Sequence, residues 1–79
     1  MRLTYDPRYS VAYIHLRDKP VDVETIRISD ELNIDIGPDG TVYGLELLNA
    51  NQQLAIGPLG ELLVVNESSG ARTAIKLSA

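Results

Sequence analysis

Asp35, Asp39 and Glu46 are the residues whose type and spacing come nearest to a site. Carboxylates gathered at a turn hold divalent cations through hard oxygen donors, and these three surround the segment Gly37-Pro38-Asp39-Gly40. Counted from Asp35 as the first position of a calcium loop, Asp39 falls fifth, Gly40 sixth and Glu46 twelfth, as in an EF-hand. The third position is Gly37, however, and the flanking residues read as strands rather than helices. His15 is the only histidine and there is no cysteine. Any triad or proton shuttle therefore depends on one side chain in mid-strand, in Tyr13-Ile14-His15-Leu16, and thiolate chemistry is excluded. No catalytic residue and no cofactor is assigned. Tyr5, Tyr9 and Tyr13 alternate with Arg2, Arg8 and Arg17, a mixture that can stack on single-stranded nucleic acid. With no Phe or Trp in the chain, the tyrosines must also provide all the aromatic volume of a core or interface, and that is the reading preferred here. Gly37-Pro38-Asp39-Gly40 is not a phosphate loop: it leads into no helix, and proline removes an amide that phosphate would need.

The elements that must position these groups are short and β-branched. Apolar stretches separated by Gly, Pro, Asp and Ser predict strands over residues 2–5, 11–16, 22–28, 32–36, 41–48, 54–56, 61–65 and 72–77. The alternative to a strand at 54–56 is one short helix over 48–56, capped by Asn49. Ile34-Asp35-Ile36-Gly37-Pro38-Asp39-Gly40 is echoed by Leu54-Ala55-Ile56-Gly57-Pro58-Leu59-Gly60. In both copies Pro presets the turn and the last Gly supplies the positive φ that closes it, so each copy is expected to be a hairpin. Glu67-Ser68-Ser69-Gly70 is expected to turn a third.

Alternation places Ala12, Ile14, Leu16, Ile26, Ile28, Leu32, Ile34, Ile36, Leu45 and Leu47 on the core side. The other side carries His15, Arg27, Asn33, Asp35 and Glu46, but also Val11, Tyr13, Val42 and Leu48, which makes those four the interface candidates. Leu62-Leu63-Val64-Val65 has no alternation and suits a strand buried on both faces. The fold expected is mainly β: an antiparallel meander of hairpins rolled into a small sandwich or open barrel, forming a single domain over 1–79.

A chain of 79 residues hides only about 60% of the surface its unfolded form exposes, and without disulfides self-association is the common remaining support. Seven basic against eleven acidic residues give a net charge of −4, which argues against nucleic acid as a partner. The charge is uneven: five basic against four acidic residues over 1–28, but two against seven over 29–79. The acidic part suits a basic protein. No stretch has the apolar length of a signal peptide or membrane span, so a cytoplasmic location is expected.

The residues also resemble a known family. Tyr5-Asp6-Pro7, Ala12-Tyr13-Ile14-His15-Leu16, Asn33-Ile34-Asp35-Ile36 with Asp39-Gly40, and Gly44-Leu45-Glu46-Leu47-Leu48-Asn49-Ala50 are similar, in order and spacing, to the domain-of-unknown-function family 2283. Ser10, Ala12 and Gly37 depart from its usual acid, leucine and second aspartate. The resemblance spans 3–50 and leaves 51–79 as an extension. It implies a small β-rich prokaryotic protein, with an antitoxin-like role suspected for some members. The function expected is a non-enzymatic protein-interaction module, homo-oligomeric and antitoxin-like, with a small-ligand or cation site at Asp35, Asp39 and Glu46 as the alternative.

Overall fold

The computed structural model describes residues 1–18, 22–56 and 60–77. Among the described residues seven strands and one helical turn follow in the order β1 (Arg2–Asp6), β2 (Val11–His15), β3 (Glu24–Ser29), β4 (Leu32–Ile36), β5 (Val42–Leu48), α1 (Ala50–Gln53), β6 (Glu61–Val65) and β7 (Arg72–Lys76). All pairings are antiparallel. Five strands form one sheet in the order β1-β2-β5-β4-β3, and β6 with β7 forms a second. The chain is thus mostly β, as its alternation implied, but it is not a simple meander and the sheets close into no barrel. From β2 the chain passes to the opposite edge, and β4 and β5 then step back until β5 docks on β2. β5 takes the centre because it is the longest strand and carries apolar residues at most of its positions.

Register fixes two faces, since directly opposed residues in an antiparallel pair point the same way. One face carries the row Leu3, Ile14, Leu45, Ile34 and Ile26, and beside it Tyr5, Ala12, Leu47 and Leu32. The other carries Arg2, His15, Gly44, Asp35 and Thr25, and beside it Thr4, Tyr13, Glu46, Asn33 and Arg27. Two irregularities interrupt the alternation. A shift between Arg27 and Ser29 makes Ile28 an extra residue, so it leaves the row that strict alternation gave it with Ile26. A shift at Asp35/Ile36 makes Tyr43 an extra residue and sets Val42 opposite Ile36, on the apolar side and away from Tyr13.

Turn chemistry explains the first and third hairpins. At Gly37–Thr41 the Gly37 amide donates to the Thr41 carbonyl at 2.8 Å and Gly40 takes φ 87°, the positive value for which proline-then-glycine was read. Between β6 and β7, Asn66 accepts from the Ser68 and Ser69 amides through its side chain, and its own amide donates to the Ala71 carbonyl at 2.8 Å. The second copy of the echo behaves differently. Leu54 ends α1 and Ala55 adopts φ 51°, so the strand expected at 54–56 is a helix end, because the Leu54 amide is bonded back to Ala50 at 2.8 Å. Residues 57–59 of that copy lie outside the described residues. The short helix is the one foreseen near 48–56, and Asn49 stands at its N-cap but gives it no side-chain cap bond. Asn49 is left-handed and bonds the Gln52 side chain, while Ser10 in the β1–β2 turn accepts from the Ala50 and Asn51 amides with its carbonyl and hydroxyl.

Burial is shallow. Among the described residues only Ala12 and Ala50 are buried apolar side chains, and Leu16, Ile26 and Ile28, expected in the core, are 37%, 39% and 55% exposed. β6 was read as buried on both faces, yet Leu63, Val64 and Val65 are 44–50% exposed, with Ile75 of β7 at 44%. The reason is geometric: a two-stranded sheet has two faces and covers neither by itself. The chain exposes 5724 Å², whereas a folded monomer of its 8.7 kDa exposes about 4,700 Å². Its radius of gyration, 14.1 Å, likewise exceeds the roughly 12 Å of a compact domain of this length.

Candidate functional site

The polar face of the five-stranded sheet gathers most of the residues singled out by their chemistry. Tyr13 on β2 leans diagonally over Gly44 on β5 and donates its hydroxyl hydrogen to Asp35 Oδ2 on β4. Thr25 on β3 donates to Asp35 Oδ1 at 2.6 Å. One carboxylate thus fastens β2, β3 and β4 across the central strand, and it is only 8% exposed. Gly44 makes the crossing possible: a Cβ there would run into the Tyr13 hydroxyl and Cζ. A glycine inside an otherwise regular strand marks such a close approach.

Around this bond the face continues. The Tyr13 and His15 ring centroids are 4.3 Å apart at 54°, and Arg2 Nη2 lies 3.4 Å from His15 Nδ1. Glu46 accepts from Asn33 Nδ2 at 2.8 Å. Arg2 and His15, with Met1, Arg17 and Asp18, line an open depression of about 380 Å³ at the end of the sheet.

The three carboxylates read as a cation site are not brought together. Asp35 and Glu46 share the polar face, but Glu46 stands opposite Asn33 and Asp35 opposite Gly44, each carboxylate held by its own donors. Asp39 sits at the exposed turn, where its Oδ1 accepts from the Thr41 amide at 3.0 Å, and that bond holds its carboxyl below the usual carboxylate value. Among the described residues no group of three or more His, Asp or Glu is placed to hold a metal ion. Asp6 is likewise lowered, first by the side-chain hydrogen bonds of Arg8, whose Nη2 lies 3.0 Å away.

The three tyrosines go to three places. Tyr5 donates to Asn51 at 2.5 Å, Tyr13 to Asp35, and Tyr9 stands 73% exposed in the turn beneath the Arg8 guanidinium. They form no common stacking platform. Of the interface candidates, Val11 and Leu48 oppose each other, half-buried, beside α1. Tyr13 is taken up by Asp35 and Val42 by the pairing with Ile36. Besides Met1, Tyr9 and Leu16, the exposed large apolar side chains lie on β3 and on both sides of the β6–β7 hairpin.

Sequence reading missed Thr25, Asn33 and Ser10 as partners, because their bonds cross strands whose register only the fold sets. Gly44 did carry a signal, a lone glycine amid strand residues. Among the described residues no helix is long and apolar enough to cross a membrane.

No curated protein and no solved structure matches the chain. The family described as protein of unknown function, DUF2283, matches residues 2–51, which run from β1 through β5 into α1 and include Tyr13, Asp35, Gly44 and Glu46. Because this match covers well over half of the 79 residues, the chain belongs to the DUF2283 family.

Proposed function

We propose that this protein is a non-enzymatic protein-interaction module that works as a homo-oligomer. The observation that carries the reading is the apolar hairpin: Leu63 and Val65 stand on one side of it, Val64 and Ile75 on the other, and all four are 44–50% exposed. A sequence patterned for burial on two sides is left about half exposed by the described residues. The surplus of about 1,000 Å² over a monomer of this mass is close to the roughly 800 Å² that each partner buries in a standard interface. A second copy is the occupant that the chain always has at hand. Asp35, the one buried carboxylate among the described residues, has both oxygens engaged by neighbouring hydroxyls, which supports a structural duty for it over an acid–base one. With a net charge of −4 per copy, the assembled surface favours basic proteins over phosphate backbones as further partners.

Sedimentation of the wild-type chain beside a Leu63→Lys, Val65→Lys double variant tests this reading. Wild type is expected to sediment above the mass of one chain at micromolar concentration, and the variant to need at least about tenfold more protein for the same assembly, since two apolar side chains contribute a few kcal/mol on burial. A wild-type chain that stays monomeric throughout overturns it.

A further inference from the structure

The structure also points to where two copies join. β1 and β3 are the two edges of the five-stranded sheet, and an edge strand offers a row of backbone donors and acceptors to another chain. The edges differ in how well each suits a copy of itself. Two copies of one edge related by a two-fold axis pair antiparallel with like faces continuous, so residues i and j that meet must lie on the same face. On β3 no such register opposes Glu24 to Arg27, because they are three positions apart and point to opposite faces. The register that places Ile26 and Ile28 together sets Arg27 against its own copy, and the bulge at Ile28 interrupts the strand.

β1 reads Arg2-Leu3-Thr4-Tyr5-Asp6. Centred on Thr4, it meets its copy over all five residues: Arg2 opposes Asp6, Leu3 opposes Tyr5, Thr4 opposes Thr4, and the series repeats in reverse. Arg2, Thr4 and Asp6 share the polar face and Leu3 and Tyr5 the apolar one. This pairing therefore places opposite charges together at both ends and apolar residues together between them. The neighbouring registers, centred on Leu3 or Tyr5, lose both charge pairs. Among the described residues Arg2 Nη2 contacts His15, and Asp6 accepts from the Arg8 side chain at both oxygens and from the Arg8 and Tyr9 amides, so it is Arg2 that keeps guanidinium donors to bring to the Asp6 charge across the seam.

We propose that two copies join β1 to β1 about a two-fold axis at Thr4, giving one continuous ten-stranded antiparallel sheet. This deepens the homo-oligomer reading and rests on it. The seam lies on the five-stranded sheet; the second sheet, with its apolar hairpin, is a separate surface of the same assembly.

The chain has no cysteine, so a Thr4→Cys variant carries a single thiol. Opposed Cα atoms in an antiparallel pair are about 4.5 or 5.5 Å apart, and both values lie within disulfide reach. Under mild oxidation Thr4→Cys is expected to convert mostly to a reducible dimer, at least about tenfold more than Gln52→Cys, a control at an exposed helical site. A charge exchange supplies a second readout. R2D alone and D6R alone each place like charges across the seam and are expected to need at least about tenfold more protein than wild type to assemble in light scattering, whereas an equimolar mixture pairs both ends and assembles at the wild-type concentration; circular dichroism of each variant checks that it is folded. Wild-type assembly without Thr4→Cys cross-linking and without rescue in the mixture overturns the β1 seam while leaving the homo-oligomer standing. A wild-type monomer at every concentration overturns both.

Discussion

Tyr13, Gly44 and Asp35 show how one face of a small sheet is held. The phenol needs the missing side chain of Gly44 to reach across β5, and the buried carboxylate needs the phenol. Gly44→Ala drives a methyl into the Tyr13 hydroxyl. The expected loss is about 1–3 kcal/mol for overpacking, with about 1 kcal/mol more for the displaced hydrogen bond, measured by urea denaturation. In a Tyr13→Ala background the same Gly44→Ala change is expected to cost less, by a coupling of at least about 1 kcal/mol in a double-mutant cycle. Tyr13→Phe leaves one oxygen of Asp35 without its phenol and is expected to destabilise by about 1–3 kcal/mol. Two carboxylates at turns give the fold a pH response. Asp6 and Asp39 are both held below their ordinary value of 3.8 in the fold, so the unfolded chain binds the extra protons. Their contribution is complete above that value and is lost as pH falls through the lowered one. Asp6→Asn with Asp39→Asn is expected to flatten the fall in melting temperature below about pH 4, a modest effect at exposed sites. Glu46 and Asp35 were legible as a pair near the first turn; that they serve separate donors was not, because this depends on which residue of β5 opposes which of β4.

At the scale of elements, sequence pattern located β1 to β7 to within two residues at each end, since each strand is bounded by its own turn residues. The exception, residues 54–56, follows from local competition: Ala50–Gln53 make a turn of helix that carries Leu54 with it, and an apolar triplet of that length suits either state. The strand order was not legible. Strict alternation is equally consistent with a meander, and only the docking of β5 on β2 decides. The missed cap is instructive. Ser10 reaches α1 from the β1–β2 turn, forty-one positions away along the chain, so no local pattern encodes it. Ser10→Ala is expected to cost about 1 kcal/mol through the lost bond to the Asn51 amide, read as a lowered melting temperature.

At the scale of the whole molecule, the chain exposes more surface and is more extended than its mass requires, and the surplus is apolar on β3 and on the β6–β7 hairpin. Sequence reading expected a chain this small to need support beyond its own core, and it named Val11, Tyr13, Val42 and Leu48 as the interface candidates. In the fold the bulge at Tyr43 sets Val42 opposite Ile36, and Tyr13 bonds Asp35. Self-association is the central claim, and it is tested most directly by the solution mass of the wild-type chain, from light scattering on a dilution series. The account predicts a mass at least twice the 8.7 kDa of one chain at micromolar concentration, falling toward the monomer only on dilution. A mass of one chain at every concentration contradicts it.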